Sequence, residues 1–433
     1  MSREAIAAIR RRKTQKLVRE CLQNVPYYGD LMRGAGIVPE AVSGPEDLAA
    51  LPLLTKSIVR SEKLRMLNRA AGPSAYYPHT TGGSTGTPLD FFRGREYDLL
   101  AVAAANMRAW RRMGWRPGDR MVRFWLGHDD LPPARGATGA ARRRLRAWLQ
   151  PPEVTLQALD TSPDVIAEWV GVLRGLGPVH LYGYGTILPL VAQHLERHGQ
   201  ILDDVRGIAS TAEALLPRAR ELLRRTCPRA TIIDIYGSRE VPGVAAECAR
   251  GTMHVNSDLV HVEYLPDDRV PGRHRLVLTA LDNTLFPFIR YDIGDQGSPL
   301  EAPCPCGLPF PMMRWGLGRV ADSFTTPEGR TIYSGYFEEL MYGIRGVHRY
   351  QFLQQTERDL VLSVVPGEGF DDSTRAHLAR VQQELRRGFS PQARLEVRVV
   401  EEIPPTPAGK HLYMVSLVRR PVPAGGGDSG RAS

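Results

Sequence analysis

Residues 230–240, which read ATIIDIYGSRE, decide how this chain folds. The apolar run is typical of a buried strand, and Tyr236-Gly237 marks the turn that ends it. Strand and helix patterns alternate before this stretch, with strands at 178–182 and 205–209 and helices at 186–198 and 217–225. Such alternation predicts parallel α/β layers.

The flanking sequence extends this prediction in both directions. A helix is predicted at 96–113 and a strand at 121–126. From about residue 259 the pattern becomes β-rich, and DLVHVEYL and RHRLVLTAL are predicted to form an antiparallel pair. A compact α+β unit then follows, with strands at 349–355, 359–365 and 394–400 and a helix at 372–387. The fold class is therefore α/β, a large N-terminal domain with a β-rich section, followed by a small α+β C-terminal domain.

Composition limits the classes of protein to consider. The chain has 433 residues, of which 42% are hydrophobic, enough for two or three domains with sizeable cores. No apolar run reaches the ~18 residues of a transmembrane helix. The opening MSREAIAAIRRRK lacks the apolar core of a signal peptide, so we expect a cytoplasmic protein. Five cysteines in a chain of this length do not make a disulfide framework.

The net charge of +9 is carried mostly by arginine. Nucleic-acid binding is one interpretation, but no recognised nucleic-acid module accompanies the charge, so we expect no nucleic-acid partner. A basic face that attracts ATP or coenzyme A explains the same charge.

Thr80–Pro88, TTGGSTGTP, is the strongest local signal of a binding site. Its small residues allow close approach of the backbone to a ligand, and its hydroxyl and N–H groups suit phosphate oxygens. No Gly-Lys-Ser/Thr follows, so this is not the Walker pattern. Taken alone, the segment could equally be a surface turn.

Tyr236–Glu240, YGSRE, follows a predicted central strand. Ligands bind at the carboxyl ends of strands in open α/β sheets, where a tyrosine can stack on a purine and Glu240 can hold Mg²⁺. The alternative is a turn with a surface ion pair. Asp295, in RYDIGD, is well placed for both hydroxyls of a ribose, whereas GRVAD and PTPAGK are unremarkable singly.

The order of these motifs resembles the acyl-adenylate-forming superfamily and, within it, the phenylacetate–CoA ligase family with its capsule-biosynthesis-type relatives. The resemblance covers roughly residues 20 to 415. It implies a large N-terminal adenylation domain (1–319), a small mobile C-terminal domain (320–420) and a disordered tail (421–433). It also implies an ATP-dependent, AMP-forming ligase that joins a carboxylic acid, aryl or otherwise small, to CoA through an acyl-AMP.

The resemblance also assigns roles to individual residues. The predicted catalytic residues are Lys410, Glu240 and Thr85, with Lys410 bridging the carboxylate and the α-phosphate and Glu240 binding Mg²⁺. Asp295 binds the ribose, and Asp322 is the hinge. The remaining predicted nucleotide-binding residues surround the phosphates, the adenine and the hinge. Ser84, Thr85 and Gly86 contact the phosphates, and Arg319 lies near the hinge. Ala212 and Glu213 lie by the adenine, on which Tyr236 stacks, with Gly237 next to Tyr236.

The chain departs from the family pattern at Thr87, where many relatives have lysine, at the residues before Asp322, and at the loop TIYSGYFEEL. The last two departures leave the acyl acceptor open between CoA and an amine, a hydroxyl or a carrier-protein thiol. An inactive basic binding protein is a further alternative, against which Lys410, Glu240 and Asp295 argue. The acid and the oligomeric state also stay open, with a homodimer as one candidate.

Cys248-x₅-His254 and Cys304-Pro-Cys306-Gly form a candidate zinc site of three sulfurs and one imidazole. The alternative is a set of incidental cysteines, but similar Cys/His pairs in many of these ligases favour zinc. Cys21 and Cys227 are expected to be packed thiols. A catalytic cysteine is not expected, because acyl-AMP chemistry needs no protein nucleophile.

Overall fold

In the computed structural model, the described residues form two compact units, the first comprising those up to Gly316 and the second those from Leu317. Each unit is considered separately. The structure describes residues 1–80, 89–125, 153–158, 163–267, 274–319, 323–329, 331–333, 336–337, 340–341, 344, 346–367, 369–404 and 412–418.

An 11-stranded sheet organises the first unit, in the order β10-β11-β12-β13-β9-β8-β7-β6-β5-β3-β4. The pairs β7–β6, β6–β5, β5–β3 and β3–β4 are parallel, whereas β7 pairs antiparallel with β8. The strands are β3 (Arg120–Trp125), β4 (Glu153–Gln157), β5 (Val179–Tyr184), β6 (Val205–Thr211), β7 (Thr231–Tyr236), β8 (Ala245–Glu247), β9 (Met253–Val255), β10 (Val260–Pro266), β11 (His274–Ala280), β12 (Tyr291–Leu300) and β13 (Met312–Arg319). A separate antiparallel pair joins β1 (Tyr76–Thr80) to β2 (Asp90–Gly94).

Helices cover the parallel strands and form the N-terminal region. Their apolar sides pack into the core, as Trp169 and Leu173 do, and burial of each such side chain contributes roughly 1.5–3 kcal/mol. Proline at the first position favours the start of three of them, at Pro26, Pro163 and Pro217. The helices of this unit are α1 (Arg3–Asn24), α2 (Pro26–Gly34), α3 (Lys56–Glu62), α4 (Ala103–Arg112), α5 (Pro163–Leu176), α6 (Leu188–Arg197) and α7 (Pro217–Thr226), with 3₁₀ turns at Pro45–Ala50 and Pro73–Ala75.

The second unit has a four-stranded sheet in the order β18-β17-β16-β19, with helix α8 (Asp372–Gly388) contributing to its core. Asp371 caps this helix by accepting a hydrogen bond from the Thr374 N–H at 2.9 Å. The strands are β16 (Val347–Gln354), β17 (Asp359–Pro366), β18 (Arg394–Val399) and β19 (Met414–Ser416), and a short antiparallel pair joins β14 (Ser323–Thr325) to β15 (Thr331–Tyr333).

The predicted alternation of strands and helices is confirmed, as is the antiparallel pair β10–β11. The prediction of a single helix at 96–113 is wrong in one respect. A short α-helical turn at Arg95–Tyr97 leads into a π-helical segment at Asp98–Val102, and α4 begins only at Ala103. Among the described residues, no helix is both long enough and apolar enough to span a membrane.

Candidate active site and metal centre

Tyr236 and Asp295, predicted to contact the adenine and the ribose, lie together in the first unit. The Tyr236 hydroxyl donates a hydrogen bond to Asp295 Oδ2 at 2.8 Å. Both residues are buried, with 2% and 4% exposure. A buried carboxylate is stable only when hydrogen-bonded, so this contact helps to hold Asp295 at the end of β7.

Trp315 also lies at this site, although no sequence motif predicted it there. Its ring lies 4.9 Å from the ring of Tyr236, at an angle of 38°. The residue is on β13, four positions before Arg319, where β13 ends. The only available signal was an aromatic residue close to the GRVAD motif. The pair forms a tilted aromatic contact of the kind that stabilises ring orientation.

Glu240, the predicted Mg²⁺ ligand, is joined to the RYDIGD motif. Its Oε1 accepts a hydrogen bond from the Tyr291 hydroxyl at 2.9 Å, and the residue is 6% exposed. Gly237, which precedes it, has no room for a side chain, because a Cβ there would lie 2.8 Å from the Gly243 nitrogen. The YGSRE turn is therefore closely packed, and it brings motifs distant in sequence into contact.

The chain leading into the predicted phosphate loop is attached to the same turn. The Arg239 side chain donates to the Thr80 carbonyl at 2.9 Å, and Arg93 donates to the Arg239 carbonyl at 2.9 Å. Arg93 in turn forms an ion pair with Asp98 at 2.6 Å, within the π-helical segment. The π-helical segment that interrupts the predicted helix therefore supplies a carboxylate to this network.

Ala212 and Glu213 lie in the loop between β6 and α7. Ala212 has φ of 66°, a left-handed conformation that is uncommon for a residue other than glycine. The Leu215 N–H farther along the loop donates to Asp234 Oδ2 at 3.1 Å. The predicted residues outside the described part of the chain are Ser84, Thr85, Gly86, Asp322 and Lys410, as are Thr87 and the tail from 421 to 433.

The four predicted metal ligands converge. The ligand atoms of Cys248, His254, Cys304 and Cys306 all lie within 4.8 Å of one another. The Cys248 and Cys304 sulfurs are 3.8 Å apart, and Cys306 Sγ is 3.3 Å from His254 Nε2. A tetrahedral zinc with ~2.3 Å Zn–S bonds separates two sulfurs by about 3.8 Å. The spacing therefore fits a zinc ion better than a disulfide.

The surroundings of the cluster orient its imidazole and shift the pKa values of two of its thiols in opposite directions. His254 Nδ1 lies 3.2 Å from the Phe310 carbonyl. Because a carbonyl only accepts, Nδ1 carries the proton and Nε2 keeps its lone pair for a ligand. A hydrogen bond from the Thr252 hydroxyl is the main cause that lowers the pKa of Cys304 to about 6, whereas burial raises the pKa of Cys306 to about 11. A bound cation favours the thiolate form of each cysteine.

Arg112 places a positive charge beside the cluster. It donates to the Ala246 carbonyl, two residues before Cys248, and its guanidinium lies 5.9 Å from the Phe310 ring centre. Burial and the neighbouring Arg108 lower the pKa of Arg112 to about 10, so it stays charged near neutral pH. A positive charge at this position favours negatively charged sulfur in the cluster.

Comparison with known proteins supports the family resemblance seen in the sequence. The chain is 24% identical over 379 residues to a phenylacetate–coenzyme A ligase of Thermus thermophilus, covering 83% of this chain and 80% of the relative. It is 25% identical over 311 residues to a phenylacetate–coenzyme A ligase of Escherichia coli, covering 67% of each. The resemblance to phenylacetate–CoA ligases is confirmed. Residues 324–416 match the family model of the CapK C-terminal domain, consistent with the predicted capsule-type relatives.

A solved structure confirms the fold class. The structure of a 2-hydroxyisobutyryl-CoA ligase in the postadenylation state, in complex with R3-HIB-AMP, matches with a TM-score of 0.72 at 21% identity. The match covers 95% of this chain and 89% of the other. The fold is that of the adenylate-forming ligases.

Proposed function

We propose that this protein is an ATP-dependent, AMP-forming ligase that activates a carboxylic acid as its acyl-AMP and transfers the acyl group to coenzyme A. The observation that carries the proposal is the meeting of YGSRE and RYDIGD at the end of β7, through the contacts Tyr236–Asp295 and Glu240–Tyr291. Relatives named as CoA ligases over most of the chain support it.

Adenylation brings a carboxylate to the α-phosphate of Mg-ATP, so positive charge must offset the repulsion between anions. In our proposal Asp295 binds the ribose, Tyr236 and the 212–213 segment hold the adenine, and Glu240 binds the Mg²⁺ of Mg-ATP. Lys410 then lies between the carboxylate and the α-phosphate. The phosphate-binding residues Ser84, Thr85 and Gly86, together with Arg319 near the hinge residue Asp322, complete the proposed set.

The domain limits 1–319 and 320–420 belong to the same proposal, with the small domain moving between the two half-reactions. CoA is the proposed acceptor because the relatives named above are CoA ligases. An amine, a hydroxyl or a carrier-protein thiol is the second candidate, favoured by the departures at Asp322 and at the loop TIYSGYFEEL.

A pyrophosphate-release screen across a panel of carboxylic acids, with and without CoA, tests this function. We expect acid-dependent pyrophosphate release for at least one acid, with turnover increased by CoA. Acid-dependent release that CoA does not accelerate would favour another acceptor. Detectable ATP–pyrophosphate exchange with any acid would exclude the inactive binding protein, whereas its absence across the panel would contradict the proposed function.

We also propose that Cys248, His254, Cys304 and Cys306 hold one structural zinc ion. The support is the donor set itself, three sulfurs and one imidazole within 4.8 Å, with the imidazole proton directed at a carbonyl. Four protein ligands leave no open position, which is typical of structural rather than catalytic zinc.

A further inference from the structure

Arg108, on α4, forms an ion pair that lies partly inside the first unit. Its guanidinium donates two parallel hydrogen bonds to the Asp258 carboxylate, both at 2.7 Å, and another to Asn256 Oδ1 at 3.1 Å. The Arg108 and Asp258 side chains are 25% and 9% exposed. Because the cost of removing both charges from water offsets their attraction, such a pair is weak evidence for a stabilising role. Its other contacts therefore indicate what it contributes.

The ring of Phe310 lies against this guanidinium. The centre of the ring is 4.7 Å from the Arg108 guanidinium carbon and 5.9 Å from that of Arg112, one turn farther along α4. A cation at such a distance is attracted to the face of an aromatic ring, and more strongly where water is excluded. Phe310 is 8% exposed, so water is largely excluded from this contact. Two arginines of one helix thus fix the position of Phe310.

The backbone of Phe310 connects this contact to the Cys/His cluster. Its carbonyl lies 3.2 Å from His254 Nδ1, and the next residue, Pro311, accepts the Val255 N–H at 2.8 Å. A carbonyl in this position sets the tautomer and the ring orientation of a metal-binding histidine. A side chain that fixes Phe310 therefore also fixes Nε2, the nitrogen that His254 offers to a metal.

We propose that Arg108 is a positioning residue for the metal ion, acting through Phe310, and that metal binding is coupled to the packing of α4. The inference rests on the zinc site proposed above, because that site gives the His254 imidazole a metal to bind. Arg108 is not one of the four ligands. The effect is reciprocal, because if the packing of α4 favours bound zinc, bound zinc favours the packing of α4 to the same extent.

Arg108→Met and Arg275→Met form a matched pair for the test. Arg275, on β11, has a side chain that is 24% exposed and pairs with Asp292 at 2.5 Å. Methionine keeps an unbranched apolar chain and removes the charge. A third variant, Phe310→Leu, removes the aromatic ring and leaves the backbone carbonyl. Zinc affinity by chelator competition, and hydrogen–deuterium exchange of the α4 amides with and without zinc, are measured for the wild type and all three variants.

We expect Arg108→Met to weaken zinc binding by about 10-fold or more, the usual effect of removing a group that orients a metal ligand. Phe310→Leu should shift the affinity in the same direction, and Arg275→Met by less than about twofold. Removing zinc from the wild type should speed exchange in α4, and this response should be much smaller in Arg108→Met. General destabilisation would speed exchange in both arginine variants without reducing the response to zinc.

Equal zinc affinities of Arg108→Met and Arg275→Met, or α4 exchange in the wild type that does not respond to zinc, would overturn the inference alone. Wild-type protein that binds no zinc would overturn the proposed zinc site and this inference with it. If Arg108→Met fails to fold, Phe310→Leu decides the question through the same two measurements.

Discussion

At the residue scale, the proposed function gives Asp295 a second partner, the ribose, beside the Tyr236 hydroxyl that its carboxylate already accepts. One oxygen accepts the Tyr236 hydroxyl, and a carboxylate has about four lone-pair sites, so it can accept more than one hydrogen bond. We expect Asp295→Ala to raise the KM for ATP by about 10-fold or more, since each hydrogen bond to a charged group contributes roughly 1.5–3 kcal/mol. Steady-state kinetics with ATP as the varied substrate measure the change.

Asp292→Ala is the control for this prediction. Asp292 lies in the same RYDIGD motif but pairs with Arg275 at 2.5 Å rather than with Tyr236. Its removal should leave the KM for ATP within about twofold of wild type, as expected for residues without a shared partner. A normal KM for ATP in Asp295→Ala would place the ribose elsewhere.

Asp234 also makes stability depend on pH. Burial raises its pKa from 3.8 to about 7, against the opposing effect of the Leu215 N–H, with Glu247 raising it further and Arg220 lowering it. A carboxyl with a raised folded-state pKa contributes stability that is fully present below 3.8 and is lost as the pH rises through about 7. The contribution of Asp234 to the free energy of unfolding should therefore be smaller in neutral to mildly alkaline solution than in acid.

The measurement compares wild type with Asp234→Asn, which cannot titrate at this position. We expect the difference in unfolding free energy, wild type minus variant, to fall by roughly 1–3 kcal/mol between about pH 5 and about pH 8. Denaturant melts at the two pH values provide it. A difference that is constant, or that grows with pH, would mean that Asp234 is ionised throughout the range.

At the element scale, the hairpin β8–β9 and the turn at 304–307 are too short to be stable by themselves. Each strand has three residues, and Gly251 and Gly307 take positive φ in the turns. A metal that joins both segments would supply stability that their small core cannot. We expect one zinc per chain in wild type and a lowered melting temperature in Cys306→Ala.

Cys227→Ala serves as the control, because Cys227 is buried but lies outside the cluster. It should retain one zinc per chain even if it loses some stability through packing. Elemental analysis of reduced, chelator-washed protein gives the stoichiometry. Metal-free wild type with an unchanged melting temperature after chelation would show that the four residues are not a zinc site.

The sequence predicted elements better than the contacts between them. The bounds of β7 and α7 follow from local apolar periodicity, so both were predictable. The contacts of Tyr236 with Trp315 and Asp295 depend on strand order across the sheet, which no local pattern records. The sequence shows Asp234 only as part of a buried strand, because a carboxylate in such a run does not identify the group that hydrogen-bonds to it.

At the scale of the whole molecule, each unit has its own buried core. The first packs around residues such as Tyr236 and Phe288, and the second around Phe337, Phe352 and Leu385. Separate cores are what two rigid bodies require if they are to change orientation without unfolding. The described residues of the family-model match to 324–416 all belong to the second of these units.

Lys410 tests whether such a movement separates the two half-reactions. In the proposed adenylation step its ammonium offsets the negative charge that develops between the carboxylate and the α-phosphate. We expect Lys410→Ala to lower pyrophosphate release by about two to three orders of magnitude. The same variant should consume synthetic acyl-AMP with CoA at close to the wild-type rate, because the lysine is needed only in the first step.

The control Lys16→Ala, at an exposed position on α1, should leave both rates unchanged. Equal loss of both half-reactions would make Lys410 structural, and unchanged rates in both would remove it from the mechanism.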